Sequence, residues 1–381
     1  MRRWLGLLTI SALAVVVAWG PGPAGAITPF FTEATPSSAV YSGPSNVQPL
    51  VGDFTGDHRS DIFFYVPGAG SQVIKEGTSD RTFSTATASV SGTYIPLVGD
   101  FNGDGISDIF WYGPGKAADS LWLFQPGGGH VTMPEYVSGV YKPFVGDWAA
   151  DGVSNGKTDI FWYSETGASF LWRATTGGAF QSIYEGSIGA GRVPLVGSFT
   201  PNPTDGSTDP TLDIFWYGPG PIPDVLWQGD GTGHFTPKPY TVGGNYQPVV
   251  GYFDGYGVQD IFWYSTSGGS SSVWLADPNT KVFTSHPASI GSGFNPLQGS
   301  FTLPDTPIVW WSPSGADTMW FPNGDPGTWS YSAYDANTDM GSGYIPVTGD
   351  FNGDHFNDVY WIAPGGGTSR LFWGTTNTPT V

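Results

Sequence analysis

Four oxygen-bearing side chains stand at positions 1, 3, 5 and 9 of one short stretch: Asp100, Asn102, Asp104 and Asp108, with Gly105 at position 6. Oxygens at alternate positions of a tightly wound loop face a common centre, and a glycine at the sixth position permits the sharp turn. This spacing suits a hard cation such as Ca²⁺, with the backbone carbonyl of Ile106 at position 7 and water completing the shell. The pattern returns as Asp350, Asn352, Asp354 and Asp358, with the carbonyl of Phe356 at position 7 and His355 in place of the glycine. A weaker version reads Asp53, Thr55, Asp57 and Asp61, with the carbonyl of Arg59 at position 7, His58 at position 6 and a neutral oxygen from Thr55. Asp-Gly and Asn-Gly are ordinary turn formers, which accounts for one or two acids per loop. It does not account for four oxygen side chains at the same positions in separate loops. The expected role of the metal is structural, since it would neutralise clustered carboxylates and pin a loop between strands.

Other chemistry is sparse. The five histidines, His58, His130, His234, His286 and His355, show no H-E-x-x-H spacing. There is no G-x-S-x-G nucleophile elbow either. A carboxylate pair for glycoside hydrolysis is defined by a separation that only the fold sets. The chain is therefore read as a non-enzyme, with a polysaccharide lyase or glycoside hydrolase as the alternative.

The acidic loops must be held by regular elements, and these repeat. Glycines 52, 99, 146, 197, 251, 299 and 349 follow one another at intervals of 47, 47, 51, 54, 48 and 50 residues. A period near 50 with short β-type runs is the spacing of propeller blades. In the second repeat four strands are predicted, at Tyr94–Val98, Asp108–Tyr112, Ser120–Phe124 and His130–Val137. Each is rich in aromatic or β-branched residues and bounded by Gly, Pro or Asn. In the third repeat Ala149 replaces a ligand and Ser154–Lys157 looks inserted, although Asp147, Asp151 and Asp159 remain. The fourth begins with Ser198 and is stretched through Thr200–Leu212. The fifth puts Tyr252 and Tyr256 at positions 1 and 5, and the sixth keeps Ser300 and Asp305 but lacks the final aspartate. The first and last repeats are truncated in complementary ways. Phe30–Tyr41 resembles the end of a repeat, and the chain stops soon after Leu371–Gly374. The N-terminal segment is therefore expected to complete the last blade, which removes exposed sheet edges.

Composition narrows the setting. Arg2 and Arg3, the apolar run Trp4–Trp19 and the small residues Ala24-Gly25-Ala26 form an export-signal pattern, with cleavage expected after Ala26. The run is short for a membrane span and is broken by Gly20-Pro21-Gly22-Pro23. Residues 1–26 are thus predicted to be a signal and 27–381 one domain, secreted, extracellular and monomeric, with no membrane span after cleavage. Without Arg2 and Arg3 the chain keeps 11 basic against 32 acidic residues, a formal charge of −21. That argues against nucleic acid, which needs a basic footprint. No cysteine is present, so disulfides contribute nothing.

The segments VGDFTGDHRSDIFFY, VGDFNGDGISDIFWYGPG and TGDFNGDHFNDVYWIAPG resemble FG-GAP/VCBS repeats, as found in integrin α-subunit heads and many secreted bacterial proteins. The resemblance spans essentially all of residues 27–381. It implies an all-β fold, a seven-bladed β-propeller of four-stranded blades closed by an N-terminal strand, and calcium in the intact loops. It implies no single activity. An extracellular glycan or protein ligand is the expected partner. Tryptophans bear on that partner. Trp111, Trp162, Trp216, Trp263, Trp310 and Trp361 share one repeat position, and Trp122, Trp172, Trp227, Trp274, Trp320 and Trp373 another. Trp148 stands for the loop phenylalanine, Trp311 for the strand tyrosine, and Trp329 matches Phe180 and Phe235. Residues recurring once per blade are expected to fill the core between blades. Any glycan contact is expected from exposed edges of the second series.

Overall fold

The computed structural model describes residues 31–34, 41, 43–148, 156–201, 212–254, 257–301, 307–322, 329–336, 338, 340–365 and 367–375. The expected signal segment lies outside these residues, as do Phe30, Ala149, Asp151, Ser154, Tyr256 and Asp305. The described residues form seven antiparallel sheets of four strands. In the second blade the strands are Ile95–Gly99, Asp108–Tyr112, Asp119–Phe124 and His130–Glu135, within two residues of the predicted bounds. Ile109 sits between Val98 and Trp122 in register.

The apolar run of each blade is its second strand, Asp108–Tyr112 here, and every residue of it is buried. Each sheet packs against a neighbour on both faces, so these strands read as continuous apolar runs without alternation. Outer strands do alternate. In His130–Glu135, Met133 turns inward while Val131, Thr132 and Pro134 are exposed.

Seven apolar clusters join the blades in sequence. One holds Phe63 and Tyr65 of blade one with Trp111 and Trp122 of blade two, and one holds Phe110 and Tyr112 with Trp162. The series continues round the ring until Phe64 and Val66 of blade one meet Tyr360 and Trp373 of blade seven. Seven blades with seven interfaces make a closed ring. First strands of adjacent blades lie next to each other, which places them at the centre. Phe31–Glu33 closes the last blade, pairing antiparallel with Arg370–Gly374 as Phe31 opposite Gly374 and Glu33 opposite Phe372. The complementary truncation is thus resolved as the sequence predicts.

The first tryptophan series is core. Trp111, Trp162, Trp216, Trp263, Trp310 and Trp361 are each at most 1% exposed. Trp111 meets Phe63 and Tyr65 of the preceding blade at ring-centroid distances of 5.6 and 5.0 Å. Tyrosines ending the second strands of blades one to five tie each of those blades to the next. The Tyr112 hydroxyl donates to the Gly139 carbonyl and accepts from the Tyr141 N–H, both at 2.9 Å. In blade six Trp311 does this work through Nε1, which donates to the Met340 carbonyl at 2.7 Å. Trp329 packs on Phe253 and Phe262 of blade five much as Phe180 packs on Phe101 and Phe110. In strand register, however, Tyr331 holds the Phe180 position.

Candidate functional site

Each acidic loop connects the first and second strands of a blade and winds around its first aspartate. In loop two Asp100 Oδ1 accepts from the N–H of Gly103 and Asp104 at 2.6 and 3.2 Å, and Oδ2 from Gly105 at 2.8 Å. Asn102 Oδ1 accepts from Asp104 and Asp104 Oδ1 from Ile106. Loop seven repeats every one of these contacts with Asp350, Asn352, Asp354, His355 and Phe356. Loop one repeats the winding around Asp53, and Asp57 Oδ1 accepts from Arg59 N–H. The sixth residue settles why the three loops share a conformation. Gly105 has φ +86°, and His58 and His355 take φ +66° and +72°. Histidine is among the side chains that tolerate the left-handed region, so the loss of glycine does not unwind loops one and seven.

The donor set is all oxygen, which suits a hard cation rather than a soft one. Among the described residues no three His, Asp or Glu side chains converge as a ready-made metal cage. A cation held here would draw on the Asn102 and Asn352 amides and on backbone carbonyls as well as on carboxylates. Burial raises the Asp100 and Asp350 carboxyls above their ordinary value. The N–H bonds oppose this, and the charges of Asp104 and Asp354 add to it. Like-charged carboxylates crowded in this way favour a cation between them.

The aspartate at position 9 has a second task. Asp108 Oδ2 accepts from Phe101 N–H at 3.0 Å and Oδ1 from Phe124 N–H at 2.9 Å, fastening the loop to the end of the third strand. Asp61, Asp159, Asp213, Asp260 and Asp358 make the same two contacts, including in blades whose loops have lost their other acids. Burial is the main reason Asp61 rises to about 7 and Asp108 and Asp358 to about 8. Sequence reasoning treated this position as a ligand and did not see the staple. The signal was its survival where positions 1, 3 and 5 had eroded.

The three acidic loops are consecutive in the ring, in the order seven, one, two. They are joined by backbone bonds from Ser60 N–H to the Asp350 carbonyl and from Ser107 N–H to the Asp53 carbonyl, both at 2.7 Å. Loop two is tied onward through Thr158 N–H to Asp100 at 2.6 Å. The side chain at position 7 of one blade also lies over the position-4 glycine of the preceding loop. A Cβ on Gly353 would stand 3.1 Å from Arg59 Cγ, one on Gly103 3.0 Å from Lys157 Cγ, and one on Gly56 2.9 Å from Ile106 Cδ1. The loops therefore form a continuous arc across the point where the ring closes.

The second tryptophan series divides. Trp122, Trp320 and Trp373 are buried, whereas Trp172, Trp227 and Trp274 keep partly exposed edges. His130 lies flat on Trp122 with centroids 3.7 Å apart, and Tyr331 covers Trp320 in the same way. Phe180, Phe235 and Phe283 stand tilted at 33–40° and cover their tryptophans less fully. Between blades one and two, next to the first acidic loop, a groove of about 190 Å³ is lined by Phe54, Thr55, Ile74, Glu76, Gly129 and His130, among others. It pairs an apolar wall with a carboxylate and an imidazole, and burial lowers the His130 pKa.

Residues 342–378 match the FG-GAP repeat model; they hold the acidic loop and three strands of blade seven, Ile345–Gly349, Asp358–Ile362 and Arg370–Gly374. A comparison with curated proteins returned no match. Among solved structures, a lectin of Agrocybe aegerita that recognises non-reducing terminal N-acetylglucosamine is similar at 17% identity and TM-score 0.58, covering 83% of this chain and 92% of that one. A chain from the complex of BBS1N with ARL6DN is similar at 10% identity and TM-score 0.54, covering 92% and 98%. At these identities the likeness concerns the fold. The chain is a seven-bladed β-propeller that carries an FG-GAP repeat in its last blade.

Proposed function

We propose that this propeller is an exported, calcium-dependent binding module for an extracellular glycan or protein, acting without turnover. The observation that carries the reading is the shared winding of loops seven, one and two, with a left-handed residue at position 6 in all three. Bound calcium would supply a divalent charge that offsets the crowded carboxylates. Asp100, Asn102 and Asp104, and their counterparts in loops seven and one, would hold it, with the carbonyls of Ile106, Phe356 and Arg59. The staple aspartates keep each loop at a fixed height above its strands. The ring then presents a rigid surface, so little ordering entropy is lost when a ligand docks.

A glycan suits the remaining features. Sugars place apolar faces against aromatic rings and need a few fixed polar groups for their hydroxyls. The groove beside Glu76 and His130 offers both, and Trp172, Trp227 and Trp274 offer ring edges at the next interfaces round the ring. The propeller lectin named above shows that this fold accommodates sugar recognition, which is consistent with the reading. Several weak sites on one ring would act together through avidity. The test is a glycan and cell-surface ligand array, read with calcium and with chelator. Retention that calcium supports and chelator abolishes is the expected result. Release of shortened or unsaturated oligosaccharide products would instead favour the lyase or hydrolase alternative.

A further inference from the structure

Arg81 sits in the turn between Gly70–Gly77 and Phe83–Val90 of blade one, yet its guanidinium reaches blade seven. Nη2 stands 3.3 Å from Asp354 Oδ2, at position 5 of loop seven, and the group lies 5.7 Å from the centre of the Trp373 ring. The turn that aims it is well braced. Thr78 Oγ1 and Thr82 Oγ1 donate to Asp80 at 2.5 and 2.7 Å, and Arg81 N–H donates to the Thr78 carbonyl at 3.0 Å. A second guanidinium lies close by. Arg59 passes its stem over Gly353 of loop seven, donates through Nε to the Gly77 carbonyl and pairs with Asp57 of its own loop. Loop two has the same ligand pattern, and the cation lying over its position-4 glycine is Lys157, whose Nζ would stand 3.3 Å from a Cβ on Gly103.

We propose that Arg81 is a resident counter-cation of loop seven, so that calcium binding there is an exchange against its guanidinium across the seam of the ring. The inference rests on the calcium reading above and adds what ligand count alone does not give: the affinity of loop seven is set in part by a side chain of the neighbouring blade. The physics is elementary. A positive charge at a site ligand occupies one of its oxygens and repels the incoming divalent ion. At a partly exposed, screened position such a charge is worth a few-fold to about tenfold in affinity. By linkage, calcium in loop seven loosens the Arg81–Asp354 contact to the same degree that the contact weakens calcium. The seam between blades seven and one then answers to calcium.

Calorimetric calcium titration of the whole chain tests this. Asp354→Asn identifies the loop-seven event by its loss, and Asp104→Asn identifies the loop-two event. In Arg81→Gln the loop-seven Kd is expected to fall about three- to tenfold, with loop two unchanged. Arg81→Lys, which keeps the charge, is expected to stay near wild type. Melting in chelator checks that both variants fold. An unchanged or weaker loop-seven Kd in Arg81→Gln would overturn the exchange, as would an equal shift in both loops, while loop-two binding would leave the calcium reading standing. No binding at either loop in any variant would overturn both.

Discussion

Arg370 grips Glu33 through two parallel hydrogen bonds, Nε to Oε1 at 2.6 Å and Nη2 to Oε2 at 2.7 Å, and so ties the N-terminal strand to the last strand of the chain. The fork fixes register, since Glu33 faces Phe372 and Phe31 faces Gly374. Its energy is modest because both groups are partly exposed. Phe31 is the stronger anchor. It is buried between blades six and seven and meets Phe301 edge-on at 5.5 Å.

Ring closure therefore predicts an asymmetry between these neighbours. Phe31→Ala is expected to lower unfolding free energy by about 3–5 kcal/mol, as for a buried aromatic. Glu33→Ala is expected to cost at most about 1 kcal/mol. Urea unfolding of the two variants measures both. Equal, small effects would mean that the N-terminal strand does not close the ring.

The two tryptophan series predict different phenotypes. Trp122→Ala removes a buried ring sandwiched by His130 and packed on Phe63, and should cost about 3–5 kcal/mol. Trp172, Trp227 and Trp274 keep exposed edges, so their replacement should cost less stability. If the ligand is a glycan, it should lower avidity on the array. Should all three behave as pure core, with unfolding losses and no effect on retention, the aromatic part of the glycan reading fails.

Much of the architecture was legible because the blade imposes it locally. A strand covered on both faces must read as a continuous apolar run, and the turn before it must carry Gly and Asp, so DIFWY after VGD marks a second strand wherever it occurs. Closure was legible from what the last repeat lacked. The departures have equally physical causes. His355 stands where loop two has glycine, and only its backbone angle matters there: φ +72° keeps the loop wound. Arg81 and Asp354 lie 273 residues apart, and no repeat position announces their meeting. The exposure of Trp172 against that of Trp122 depends on the cap, Phe180 tilted in one blade and His130 flat in the other. A repeat alignment sees the tryptophan and not its cap.

Staple and ligand aspartates should separate cleanly. Asp159→Ala leaves the buried N–H groups of Trp148 and Ala174 without their acceptor, in a blade with no intact acidic loop. The expected cost is about 2–4 kcal/mol, the same with calcium and with chelator. Asp104→Ala should cost within about 1 kcal/mol in chelator and remove about one equivalent of calcium. Calorimetry and chemical unfolding on the same samples distinguish the two outcomes. Calcium loss in Asp159→Ala at full stability would reverse the assignment.

The buried carboxyls set a pH dependence whose sign can be worked out. Burial lifts Asp213 to about 7 against the pull of the N–H groups of Phe199, Thr200 and Gly229 and of the Thr200 hydroxyl. Its folded pKa is therefore above the ordinary carboxylate value near 3.9. Between about pH 4 and 7 the folded chain binds more protons than the unfolded chain, so stability falls as pH rises through that window. Asp260 is raised in the same direction by burial and by the charge of Asp254. In chelator the protein is thus expected to melt at a higher temperature at pH 5 than at pH 8. Calcium works the other way, because its ligands must be deprotonated, so its stabilising effect should grow with pH and narrow the difference. Melting curves at both pH values, with calcium and with chelator, give the four numbers needed. If the chelated protein gained stability from pH 5 to 8, the hydrogen bonds around the staple carboxylates would outweigh their burial and hold them ionised throughout.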